Sequence, residues 1–333
     1  MKKAVIVGIL ILALGLVVSG ISFALMGFSF NSFAKEKYES VTTEIGTEFT
    51  AIDIRGNTEN IRLCRIDQNF PETRTPRVVC SENSWLKHTV TVENDTLTIR
   101  SVDTRKWYDH IGINVSGKPE IVLYLPSIPY ILNIESDTGD VEIIGSFLWS
   151  DVSIRTDTGD VYALDTIGVN ISAQTSTGDI RWAYQEAPSL DRKAFNVLGD
   201  MSFTTSTGHI RAENVCCQGS VFIHVSTGKT QLDDFTCANL ETTGSTGDIT
   251  LKNTAIQGSL NIQRSTGDVK FEDSDAAVIH IETDTGDVTG TLLSPKVFFT
   301  ETDTGKVQVP RSVTGGGCEI TTSTGDIKLE ITE

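Results

Sequence analysis

The residues best placed to do chemistry in this chain sit in ten Ser/Asp-Thr-Gly triplets spread over residues 137–325. Seven triplets continue with a carboxylate: Asp140, Asp160, Asp179, Asp248, Asp268, Asp287 and Asp326. The other three continue with His209, Lys229 and Lys306. If the units stack, the aspartates form ladders, and carboxylates one coil apart could bind Ca²⁺, which takes several oxygen ligands. The competing expectation is turn capping and solubility, because short polar side chains satisfy unpaired turn groups. The nonapeptide Gly-Gly-x-Gly-x-Asp pattern of calcium-binding β-rolls is absent. Capping is therefore the expectation, with no metal and no cofactor.

Other chemistries leave little trace. His88, His110, His209, His224 and His280 show no metal-ligand spacing. Gly-x-Ser-x-Gly, phosphate-loop and Cys-x-x-Cys motifs are absent. No catalytic residue is assigned, and the expected class is a binding or structural module. A polysaccharide-active enzyme on a β-helix is the alternative, and it requires an acidic cleft with raised carboxylate pKa values. A net charge of −17 argues against nucleic acid, which needs a basic patch.

The triplets must be positioned by strands. Their glycines are 19 or 20 residues apart, with one gap of 30 between Gly178 and Gly208. Two residues after each glycine comes an apolar side chain such as Val141, Ile180, Ile249 or Ile327, with Thr230 the exception. Seven and five residues before come pairs such as Val152/Ile154 and Leu260/Ile262, with polar residues between. Alternation with period two means strands buried on one face. Each unit is expected to hold two short strands joined at the Thr-Gly turn. A second turn falls near Gly199, Gly219, Gly258 or Gly316. Such strands cannot bury a face alone, so the units stack into an all-β β-solenoid of 19–20-residue coils. A parallel β-helix is expected to be right-handed.

The uncharged run 4–30 follows Lys2 and Lys3 and is long enough for a transmembrane helix. Its length favours a retained anchor over a cleaved signal peptide, although Ser22-Phe23-Ala24 and Ser32-Phe33-Ala34 offer small residues for cleavage. The expected organisation is a cytoplasmic tip at 1–3, the anchor at 4–30 and a linker at 31–43. An irregular β start at 44–135 then leads into the regular solenoid at 136–333. The solenoid is expected to lie outside the cell membrane, with the charged chain end discouraging edge pairing.

The anchor, Ile121-Val122-Leu123-Tyr124-Leu125-Pro126 and the Ser/Asp-Thr-Gly-Asp-Ile/Val units together resemble a bacterial β-strand-repeat family of unknown function, often labelled candidate adhesins. The resemblance covers roughly residues 44–333. It implies a Gram-positive cell-envelope setting linked to adhesion or envelope stress, with no assigned enzyme activity. The implied partner is a cell-envelope protein or polysaccharide.

Two local sites remain. The 30-residue gap places a ten-residue insertion near 183–194. Trp182, Tyr184, Leu190, Arg192 and Phe195 there form a candidate partner contact, since aromatic and Arg side chains are enriched in binding hot spots. That reading requires Tyr184 and Leu190 to be exposed. Cys217 and Cys237 lie eleven and ten residues before their glycines, so stacking brings them within the ~4.4–6.8 Å Cα range of a disulfide. Cys216 is a rival partner, Cys64–Cys80 is a second pair, and Cys318 falls at a core position.

Overall fold

The computed structural model describes Gly15, Val17 and residues 37–66, 75–104, 118–126, 128, 130–185 and 196–332. Of the expected anchor only Gly15 and Val17 are described, both helical. Among the described residues no helix is long and apolar enough to cross a membrane. From residue 39 onward the described chain is strand and turn, hydrogen-bonded into one continuous sheet that coils on itself.

Each coil has three sides, where the sequence suggested two strands. On the first, Val141, Val161, Ile180, Ile210, Thr230, Ile249, Val269 and Val288 stack in parallel register. On the last, Leu132, Val152, Ile171, Met201, Val221, Leu240, Leu260 and Ile279 do the same. Between them runs a shorter side, seen in the parallel bridges Gly168–Val197, Val197–Cys217 and Cys216–Thr236. In five coils the corner separating the first two sides lies six residues after the Thr-Gly glycine. There Asp165, Asn214, Asp234, Asn253 and Asp273 have φ of 56°, 56°, 51°, 46° and 49°. Asn and Asp tolerate this left-handed conformation better than other non-glycine residues, so a search for glycines alone misses the corner.

Alternate residues of every side point inward and are buried, giving one core along the axis. Trp182 lies in that core with its ring 5.7 Å from Phe203. Near the Thr-Gly corner, an inward threonine donates to the glycine carbonyl of the adjacent coil, as Thr175 does to Gly159 O at 3.0 Å and Thr205 to Gly178 O at 3.0 Å. Three coils break this column with Val225, Gly244 and Arg264. Arg264 fills the hollow beside Gly244 and donates to Val225 O at 2.7 Å and Thr230 Oγ1 at 3.1 Å. Burial pushes its pKa down to about 10.

Both ends depart from chain order. The first strands, Ala51–Gly56 and Asn60–Arg65, are sandwiched between the later strands Thr96–Asp103 and Glu120–Leu125 on one side and Tyr130–Thr158 on the other. Residues 51–65 therefore belong to the same sheet as the regular coils. Antiparallel strands Leu86–Glu93, Arg77–Glu82 and Glu39–Glu44 close this end. At the other end Gly316–Thr324 and Ile327–Ile331 insert between the coil of Val269–Leu292 and that of Lys296–Gln308. The chain end is thus an interior coil, and the open edge is Lys296–Gln308. This corrects the expectation that the final residues form the edge.

Candidate functional site

The aspartates that follow Thr-Gly are structural caps. Asp140 Oδ1 accepts from Asp160 N at 3.1 Å, Asp160 Oδ1 from Asp179 N at 2.8 Å, and Asp179 Oδ1 from His209 N at 2.7 Å. His209 Nδ1 continues the chain by accepting from Lys229 N at 2.9 Å. Beyond a break, Asp248, Asp268 and Asp287 repeat the pattern up to Asp326 N. A side chain is needed because the close-packed glycines interrupt the backbone ladder at this corner. Among the described residues no His, Cys, Asp and Glu group is arranged to hold a metal. Replacing Asp268 with Ala should cost about 1 kcal/mol, whereas Asn keeps the oxygen and should cost little. Equal loss in both variants, measured by denaturant unfolding, would mean that charge rather than the cap matters.

Two residues of the expected partner contact, Trp182 and Tyr184, are described. Trp182 is 0% exposed and Tyr184 7% exposed, so both belong to the core. The Tyr184 hydroxyl donates to Thr166 O, and burial raises its pKa. The period-two alternation explains this, because Trp182 and Tyr184 fall on inward positions of their coil. Leu190, Arg192 and Phe195 lie outside the described residues.

The cysteines are thiols. The Cys216–Thr236 bridge places Cys217 beside Cys237 in neighbouring coils, where parallel strands lie ~4.8 Å apart. Both are buried, and burial raises the Cys217 pKa to about 11 and that of Cys237 further. Cys217 donates to Gly199 O at 3.1 Å. Cys64 and Cys80 are kept apart by the strand Glu120–Leu125, which pairs with both of their strands, so they are not neighbours. Cys318 is fully buried.

A different surface collects functional groups. On the first side, the outward residues three after each glycine form a column that begins Arg62, Glu142, Tyr162, Arg181, Arg211. Arg62 Nε lies 2.6 Å from Glu142 Oε2 and its Nη2 3.9 Å from Glu120 Oε1. The Arg181 guanidinium stands 5.6 Å from the Tyr162 ring centre, and its Nη2 is 2.8 Å from Glu213. Further out, Arg77 stacks 4.2 Å over Tyr124. A groove of about 270 Å³ opens here, lined by Asn60, Arg62, Glu120, Glu142, Asp160 and Tyr162 among others. Lys118 Nζ lies 3.3 Å from Asp140 Oδ2, one of the lining carboxylates. Hydrogen bonding to Glu142 raises the Arg62 pKa, so its charge is fixed.

Farther along the same column come Gln231, Thr250 and Lys270, with Lys252 and Asp233 paired beside them at 3.0 Å. Tyrosine, exposed Ile144 and arginine are thus concentrated on the half of this side near the closed end. Such a mixture marks interaction surfaces. Counting three residues past each glycine would have revealed the column from Glu142 onward. Its first member, Arg62, follows a turn with no Thr-Gly. Among the described residues the carboxylates whose pKa clearly moves, Asp53, Glu59 and Asp248, are moved downward and lie outside the groove.

No match is found among the curated proteins. Among solved structures the chain is similar to a candidate adhesin from Bacteroides fragilis, at 14% identity and TM-score 0.41, covering 88% of this chain and 97% of the other. It is similar to a candidate lipid-binding protein from Parabacteroides distasonis, at 15% identity and TM-score 0.42, covering 89% and 98%. A candidate cell adhesion protein from Clostridium sporogenes matches at 10% identity and TM-score 0.30, covering 89% and 100%. The model of the Toastrack DUF4097 family matches residues 49–330, which run from the first sandwiched strand to the last interior coil. With nearly the whole stack matched, this chain belongs to the Toastrack DUF4097 family.

Proposed function

We propose that this protein is a non-catalytic binding module of the cell envelope, tethered by residues 4–30 and displaying its solenoid outside the membrane. Its ligand is a wall polysaccharide held in the groove of Arg62, Glu142 and Tyr162. The observation that carries this reading is the grouping of a tyrosine ring, arginines and several carboxylates on one flank. A sugar ring can pack on tyrosine while its hydroxyls bond to charged groups on either side, and an open groove along the coils suits a linear polymer. Adhesion follows if the polymer belongs to a neighbouring surface, and envelope sensing if it belongs to the same cell.

The test is cosedimentation of the detergent-solubilised full chain with insoluble cell-wall polysaccharide. Arg62→Ala with Tyr162→Ala should reduce retention at least ~10-fold, the loss expected for about 1.4 kcal/mol. A wild-type protein that stays in the supernatant, or a double variant retained equally, would overturn the proposal. Protease added to intact protoplasts should digest the solenoid if the tether is placed correctly.

A further inference from the structure

The two ends of the solenoid are finished differently. The end near residues 39–103 is closed by antiparallel strands, but the other ends on a coil with one side unpaired. Lys296–Thr304 pairs only with Gly316–Thr324, and Val307–Gln308 only with Ile327–Ile331. Residues whose columns are buried elsewhere come to the surface here. Val307 is 46% exposed, whereas Val288 and Ile327 in the same column are 0% exposed. Phe298, in the column of buried Cys318 and Ile279, is only partly buried against the core, and beside it the outward-facing Phe299, in the column of Glu319 and His280, is 63% exposed. An unpaired strand carrying apolar side chains is a template for another strand.

The edge strand itself indicates the occupant. Its first half is apolar, Val297-Phe298-Phe299, and its second half carries Glu301 and Asp303. The closed end of a second copy presents the edge strand Glu39–Glu44, whose two glutamates would be set against Glu301 and Asp303, so charge disfavours head-to-tail pairing. Two copies of the open edge can meet only in antiparallel sense about a two-fold axis, which closes the assembly at a dimer. Charge excludes registers centred further along the strand, and matching of apolar residues selects among the rest. Pairing centred on Phe298 sets Val297 of each copy opposite Phe299 of the other and places Glu301 opposite Pro295. Sliding the centre to Glu301 or Thr302 would oppose acid to acid.

We infer that two copies of this chain associate tail to tail by antiparallel pairing of Lys296–Thr300 of each, centred on Phe298. The dimer continues the sheet across the junction and covers the open end of both cores. It also sets the two polysaccharide grooves at opposite ends of a doubled rod, though the association itself does not depend on that reading.

Sedimentation velocity of the full chain in detergent, at tens of micromolar, tests this. Wild type should sediment with the mass of two chains. Phe299→Lys and Val297→Lys should each give one chain with an unchanged melting temperature, since both side chains lie on the open edge. Val297→Lys combined with Phe299→Glu should restore the dimer, because the register sets each lysine against a glutamate of the other copy. Leu148→Lys, on an exposed side position, should leave the dimer intact. A monomeric wild type, a dimer that survives Phe299→Lys, or a double variant that stays monomeric would each overturn the inference.

Discussion

Gly247→Val is expected to unfold the middle of the solenoid, lowering stability by about 3 kcal/mol or more. Gly247 has φ of +130°, a conformation that a β-branched residue rarely adopts. A Cβ there would also fall 2.5 Å from the carbonyl carbon of Gly228 and closer to its oxygen. Gly228 in turn stands against Gly208, and Gly267 against Gly247, so neither neighbour can retreat without displacing the next coil. The clash therefore reaches the stacking of coils as well as the local turn. Gly317→Ala is the control, since nothing lies within 4 Å of a Cβ at that site. It should change stability by less than about 0.5 kcal/mol. Thermal unfolding of both variants checks the pair, and a Gly247→Val protein that melts like wild type would show that the glycine column does not hold the coils together.

Glu59→Ala is expected to open the closed end, at a cost of about 3 kcal/mol or more. Glu59 is 0% exposed. Its Oε2 accepts from Asn57 N at 2.7 Å and Thr58 N at 2.9 Å, and its Oε1 lies 3.2 Å from His88 Nε2. Removing the carboxylate leaves buried His88 Nε2 and the part-buried Asn57 and Thr58 N–H groups without their acceptor together, and an orphaned buried donor costs about 1–3 kcal/mol. Burial works to raise the Glu59 pKa, but hydrogen bonds from His88 and the backbone outweigh it and hold the value below 4.5. A carboxylate depressed in the folded state contributes stability above its unfolded pKa and loses it as pH falls through the folded value. The contribution should thus be constant through neutral pH and disappear only below the usual carboxylate range. Hydrogen exchange across residues 86–103 should accelerate in Glu59→Ala while the coils beyond Gly139 stay protected. Acceleration spread evenly over all coils would mean that Glu59 does not act as a local fastening.

Glu59 also shows how one irregular residue conceals a repeat. Asn57-Thr58-Glu59-Asn60 occupies the place of Asp137-Thr138-Gly139-Asp140 in the neighbouring coil, as the pairings Gly56–Ser136 and Ile61–Val141 show. Asn60 Oδ1 accepts from Asp140 N at 3.1 Å, as an aspartate does in later coils. In place of glycine, Glu59 turns its buried side chain onto His88. The packing that imposes glycine on the other turns is a relation between coils, so its relaxation at the end cannot be read from the tetrapeptide.

What the amino-acid sequence determined by itself was whatever is local or periodic. Alternation around Val152/Ile154 and Leu260/Ile262 selects strands, because side chains of a strand point alternately to its two faces. The 19- and 20-residue spacing sets the coil, and the register shifts of the neighbouring strands reproduce it. The tertiary structure decided three things that depend on which segment lies beside which. It turned Trp182 and Tyr184 inward, because their positions in the coil face the core shared with Phe203 and the neighbouring coils. It gathered Arg62, Glu120, Glu142 and Tyr162 from positions up to 100 apart, since sheet neighbours are set by coil pairing rather than by chain distance. It also folded residues 316–331 back inside the stack, leaving Phe299 at the edge, because the apolar faces of Cys318, Ile320, Ile327 and Leu329 are buried only between two coils.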